Sequence, residues 1–171
     1  MFIKKCLHLY KKKRYRILQE GQNTMMISNI RRIYFNHRVA RGWSYSIEIK
    51  KDGESYYLRT RFDDPENSYQ PTDLIWQGET YKEILKSFFE RIIDLFDNND
   101  VLSWNGFDEY DPQTKDGQGF ELQINFENGE CLKADGENSF PEKYYEVSKE
   151  FYKMVNEIIS IYHEQNSAKI I

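Results

Sequence analysis

The sequence predicts an α+β fold, a mostly antiparallel sheet of about five strands in the order βββαββα with two amphipathic helices packed on one face. Three observations lead there. Residues 43–62 and 119–134 alternate apolar and polar side chains on either side of a glycine turn, the pattern of a β-hairpin. Residues 80–96 and 141–163 repeat apolar side chains at helical spacing. Each hairpin is followed by one of these helices, so sequence neighbours supply antiparallel pairs and the helices cover the apolar side.

In chain order, 30–36 reads as a first strand with Ile33 and Phe35 on one face, followed by a polar link over 37–42 that holds His37. Trp43, Tyr45, Ile47 and Ile49 then alternate with Ser44, Ser46, Glu48 and Lys50. A two-residue turn at Asp52-Gly53 sets Ile49 opposite Tyr56 and Ile47 opposite Leu58, leaving Glu48, Arg59 and Arg61 on the other face. Residues 63–78 have no period and two prolines yet carry Tyr69, Leu74, Ile75 and Trp76, and read as a loop packed as a cover. Thr80-x-x-Glu83 has the form of a capping box for a helix whose stripe runs from Tyr81 to Phe96 and stops at Asp97-Asn98-Asn99.

The densest stretch is 104–141. Phe120, Leu122, Ile124 and Phe126 share one face of a strand, and the turn at Asn128-Gly129 admits two registers. A three-residue loop over 127–129 with a left-handed glycine sets Ile124 opposite Leu132 and Leu122 opposite Ala134, which keeps apolar residues together. Ser139, Pro141 and Glu142 have the spacing of a cap, a first-turn proline and a capping box for the last helix. Residues 165–171 read as a frayed tail.

The same stretch carries a resemblance. Trp104-x-Gly106-Phe107, Asp111-Pro112, Asp116-Gly117-x-Gly119-Phe120, Asn128-Gly129, Ala134-x-Gly136-x-Asn138-x-Phe140-Pro141 and Tyr144 are spaced in a distinctive way. The string resembles the C-terminal signature W-D-G-F … D-G-x-x-F-S-L … A-x-G-x-N-x-F-P-x-x-Y of a family of small uncharacterised bacterial proteins. Here Asn105 stands where Asp is usual and Glu121 where Ser is usual. The resemblance covers roughly the C-terminal third of the chain; it implies the fold and no activity.

Composition sets the function classes. Aromatic residues make up 16% of 171 residues, enough for a bulky core at a mean hydropathy of -0.81. Cys6 and Cys131 form no disulfide framework, and no apolar run approaches the roughly 20 residues of a membrane span, so a reducing cytoplasm is expected. The net charge of -4 is unevenly spread: residues 1–41 hold 11 Lys and Arg against Glu20 alone, and residues 42–171 hold 13 against 27 acidic residues. The run KKKRYR at 11–16 lacks an aromatic platform or Gly-rich loop, so specific nucleic-acid binding is not expected. Purine-rich codons can spell Gln19-Glu20-Gly21 just ahead of Met25-Met26, so residues 1–24 are expected to be a non-native or disordered basic leader and 25–171 a single α+β domain.

Candidate chemistry is sparse. No P-loop, G-x-S-x-G or dinucleotide fingerprint occurs, and His8, His37 and His163 have no partners at ligand spacing, so no cofactor or metal is expected. Asp108, Glu109, Asp111 and Asp116 form the one dense polar set, and Asp111-Pro112 and Asp116-Gly117 are also plain turn formers. Trp104 and Phe107 plug the end of the sheet or, if exposed, anchor a partner that the neighbouring carboxylates steer in. The reading adopted is a small acidic protein-binding module that neutralises a basic partner in the manner of an immunity protein. Its contact residues would be Trp104, Phe107, Asp108, Asp111, Asp116 and Trp76. The alternatives are a metal-dependent enzyme or a small-ligand-binding domain using the acidic loop 108–116.

Overall fold

The computed structural model describes residues 25–40, 42, 44–63, 72–114 and 117–167. The expected leader, Trp43, residues 64–71, Asp116 and the final residues lie outside them. Seven strands are present: β1 (Ile30–Val39), β2 (Ser44–Asp52), β3 (Ser55–Asp63), β4 (Thr72–Gln77), β5 (Asp108–Tyr110), β6 (Gln118–Phe126) and β7 (Cys131–Glu137). They make one mixed sheet in the order β4-β3-β2-β1-β6-β7-β5. Two helices, α1 (Lys82–Asn98) and α2 (Tyr144–Ser167), complete the α+β fold. None of the described helices is long and apolar enough to cross a membrane.

The sheet is single-sided, and its register explains why. Ile33, Phe35 and His37 of β1 lie opposite Ile49, Ile47 and Tyr45 of β2, and opposite Ile124, Leu122 and Phe120 of β6. The same face continues outward through Leu58 and Thr60 to Trp76 and Leu74, and on the other side to Leu132 and Ala134. All of these are buried. The helices press on this face: Phe151 of α2 stacks on Phe35 at 4.7 Å, Phe89 of α1 meets Tyr56 at 5.8 Å, and Phe96 meets Phe151 edge-on. Near Arg31 a shift in the β1–β6 register turns Ile30 onto the apolar face despite its parity, opposite Phe126.

The opposite face is polar, and no helix of the described residues packs on it. Arg32 bridges two strands there, donating to Glu48 at 2.8 Å and to Asn125 at 3.1 Å, and Arg59 makes a two-pronged pair with Asp73. The expected placement of Glu48, Arg59 and Arg61 on this face holds.

Several expectations are corrected. The sheet has seven strands rather than about five, and one pair, β5 with β7, is parallel. The expected cover loop contains β4, whose Leu74 and Trp76 are core residues. The first hairpin turns at Gly53-Glu54, so Asp52 pairs with Ser55 and Ile49 with Leu58. That register differs from the expected one by two residues, which leaves every side chain on its expected face. The second hairpin has the expected pairs, Ile124 with Leu132 and Leu122 with Ala134, with Gly129 at φ 87.

Neither expected capping box forms. α1 is entered through a 3-10 turn at Glu79–Tyr81 and makes no side-chain cap bond. Ser139 donates instead to Glu109 at 2.7 Å, and α2 begins only at Tyr144, after Lys143 at φ 61 interrupts the chain. At the far end of α1, the Asn99 side chain donates to the Leu95 carbonyl at 2.8 Å and satisfies one of the free acceptors of the last turn.

His37 belongs to β1 and not to a loop. Its Nδ1 lies 2.6 Å from the Tyr144 hydroxyl, and the ring is buried beside Tyr45 and Tyr144. Burial lowers the imidazole pKa to about 4 and raises that of the Tyr144 hydroxyl, so both groups are neutral in the core at pH 7. Because the folded pKa lies below the ordinary 6.5, the unfolded chain binds a proton that the native ring refuses. Stability from this site is complete above about pH 6.5 and is lost as the pH falls towards 4. Urea unfolding at stepped pH is expected to show that loss in the parent chain and a shallower one in a His37→Gln variant. In the folded protein the His37 ring resonances stay flat down to pH 5; a midpoint near 6.5 would refute this account.

Candidate partner-binding surface

β5 ends the sheet beside β7. Gly106 N donates to Lys133 O, Asp135 N to Phe107 O and Asp111 N to Glu137 O, a ladder that carries the strand from the Trp104 turn to the Asp111 turn. The turn before it, Val101–Trp104, is anchored in the core: Trp104 is 3% exposed, its ring meets Phe120 edge-on, and its Nε1 donates to the Glu142 carbonyl at 3.1 Å. Phe107 is half-buried against Phe120 at 6.0 Å.

Gly136 lets the corner after β7 and the Phe120 ring of β6 close over the strand. A Cβ there would stand 2.3 Å from the Ser139 carbonyl oxygen and 2.6 Å from the Phe120 ring, with Phe107 next at 3.1 Å. Asn138, at φ 57, ties the following corner together. Its Oδ1 accepts from Gln118 N at 3.1 Å, and its Nδ2 donates to Thr114 O at 3.1 Å. Trp104, Gly106, Phe107, Phe120, Gly136, Asn138, Phe140 and Tyr144, the residues that carry the sequence signature, are thus the frame that fixes β5 against β7.

This frame holds carboxylates side by side. Asp108 lies opposite Asp135 in the parallel pair, and Tyr110 lies opposite Glu137. On its other side Asp135 faces Glu121 of β6. Opposite residues share a face, so Asp108, Asp135, Glu137 and Glu121 gather at one edge of the helix-free side of the sheet. Arg38 supplies a counter-charge 4.0 Å from Asp135. Tyr110 stands in this set with 64% of its surface exposed.

Of the six residues expected at a binding site, the five that are described do not form one surface. Asp108 is exposed at the edge and Phe107 is half-buried behind it. Trp104 is in the core, and so is Trp76, fully buried between Tyr81 and Tyr162, so neither offers a face to a partner. Asp111 is spent on its own turn: its carboxylate accepts from Gln113 N at 2.9 Å and from the Thr114 hydroxyl at 2.5 Å. The Thr114 hydroxyl and Gln113 amide hold its pKa below the usual carboxylate range. Asp116 lies outside the described residues. Asp135, Glu137, Glu121 and Tyr110 were not expected, because no local pattern announces a parallel pair between strands separated by a hairpin.

Among the described residues no three His, Cys, Asp or Glu side chains are grouped to hold a metal ion. Leu74 and Trp76 of β4 are buried in the core, and a groove of about 360 Å³ between α1 and α2 is lined by no residue of β5 or β7. No family model, curated protein or solved structure matches the chain.

Gly136→Ala is expected to push the Ser139 corner and the Phe120 ring off β7 and to cost about 1–3 kcal/mol through overpacking. Urea unfolding measures the cost. Faster amide exchange at Glu109 and Glu137 than in the parent would localise it to this edge.

Proposed function

We propose that this chain is a small acidic protein-binding domain that takes a basic partner at the β5–β7 edge, in the manner of an immunity protein that neutralises its target. The carrying observation is the placement of Asp108 directly opposite Asp135, with Glu121 on the other side. Like charges opposed in a sheet destabilise it, so the free protein bears a cost that a cationic surface would remove. The exposed Tyr110 ring among these carboxylates supplies the amphipathic contact area that interfaces favour, while the charges steer a basic partner into register. Several residues of the signature string belong to the frame behind this edge, which gives that string a role in presenting the edge.

The Asp108→Asn variant is expected to be more stable than the parent by about 0.2–1 kcal/mol in urea unfolding while binding the partner more weakly. In a pull-down, a basic protein retained by the parent and released by salt should be lost by the Asp108→Lys, Asp135→Lys variant. Equal retention by both chains would sink the proposal.

A further inference from the structure

Among the described residues the sheet ends in two edge strands, and they are unequal. β5 is three residues long and acidic, a combination that discourages pairing with another strand. β4, at the other end, has six residues, Thr72–Gln77, in the sequence TDLIWQ. Its one charged residue, Asp73, is held by the Arg59 guanidinium through contacts of 2.6 and 3.0 Å, so it does not guard the outer side. Ile75, in the middle of the strand, lies on the helix-free face with 54% of its surface exposed.

We propose that β4 is a self-association edge, on which a second copy of this chain adds its own β4 antiparallel about a two-fold axis through Ile75. The sequence selects this register. Opposed residues must lie on one face of the joined sheet, so only registers that conserve parity are open. Centring on Ile75 sets it against the partner's Ile75, sets Leu74 against the partner's Trp76 on the apolar side, and sets Asp73 against the partner's Gln77, an acceptor facing a donor. Centring on Leu74 instead sets Asp73 against an apolar Ile75. A two-fold pairing consumes both copies of the edge and closes the assembly at a dimer. One strand pair buries far less than the roughly 800 Å² per partner of a stable interface, so the dimer forms reversibly and at high concentration. This edge is separate from the acidic one, and the inference stands apart from the proposed function.

The test is disulfide trapping in the full chain with Cys6 and Cys131 changed to Ser. Across the axis the two Ile75 Cα atoms would lie about 4.5–5.5 Å apart, within disulfide reach, whereas the two Asp73 Cα atoms would be about 14 Å apart. Under mild oxidation Ile75→Cys is expected to cross-link at least about tenfold faster than Asp73→Cys. Sedimentation of the parent should show dimer growing over about a hundredfold range of concentration, and Ile75→Lys, which opposes two ammonium groups at the axis, should abolish it. Equal trapping at the two positions, a parent that sediments as a monomer throughout, or a dimer indifferent to Ile75→Lys would each overturn the proposal. Ile75 is largely exposed, and the trapping comparison decides the matter even if the Lys variant fails to fold.

Discussion

The Tyr144 side chain is the junction on which the rest of the molecule depends. Its ring is fully buried at the first turn of α2, 4.7 Å from Phe120, 4.5 Å from Phe140, 6.3 Å from Phe35 and 6.1 Å from Trp104. Those four rings come from β6, the corner before α2, the central strand β1 and the turn before β5. The Tyr144 hydroxyl reaches the His37 ring on β1 and Trp104 Nε1 reaches the Glu142 carbonyl, so both polar atoms among these rings have partners. Each aromatic pair of this kind contributes about 0.5–1.5 kcal/mol beyond its buried area. The position of the helix, the closure of the sheet's centre and the seat of the acidic edge are therefore one packing problem with one solution.

How much of this was legible in the sequence depended on how local the determining contacts are. The β6–β7 register followed from apolar alternation and a glycine turn, because a wrong choice would have put Lys133 opposite Ile124. The first hairpin was placed two residues away from its true register, since a shift by two preserves every face and the alternation is blind to it. β4 and β5 are hard to read because each is short, with too few residues for an alternation to stand out from the irregular stretches around it. The caps at Thr80 and Ser139 were misread because backbone geometry and the side chain of Glu109 outcompeted the helix termini for those groups. His37 read as a link residue because a histidine breaks an apolar pattern, yet an imidazole paired with a tyrosine hydroxyl is a satisfied core group.

The candidate surface shows the same division. Asp108 was recognisable as part of an acidic stretch, but its neighbours Asp135 and Glu121 come from other strands and meet it only through tertiary pairing. Asp111 looked equivalent in sequence and is not, because its carboxylate is occupied by the turn that ends β5. Trp76 and Trp104 illustrate the reverse error: a large aromatic in an irregular stretch looks available, whereas here each one fills the core beneath an edge strand.

The pairing of β1 with β6 also has a consequence during biosynthesis. These strands join the two halves of the sheet, with Tyr34 opposite Gln123 and Phe35 opposite Leu122, and residues 40–117 lie between them. A ribosome adding about 5–20 residues per second leaves β1 without its second neighbour for roughly 4–16 s after it emerges. During that interval the nascent meander of β1 to β4 has an apolar face without α2 and two unpaired edges. The chain is thus exposed to misassociation longest at β1, the strand that ends up at the centre of the finished sheet.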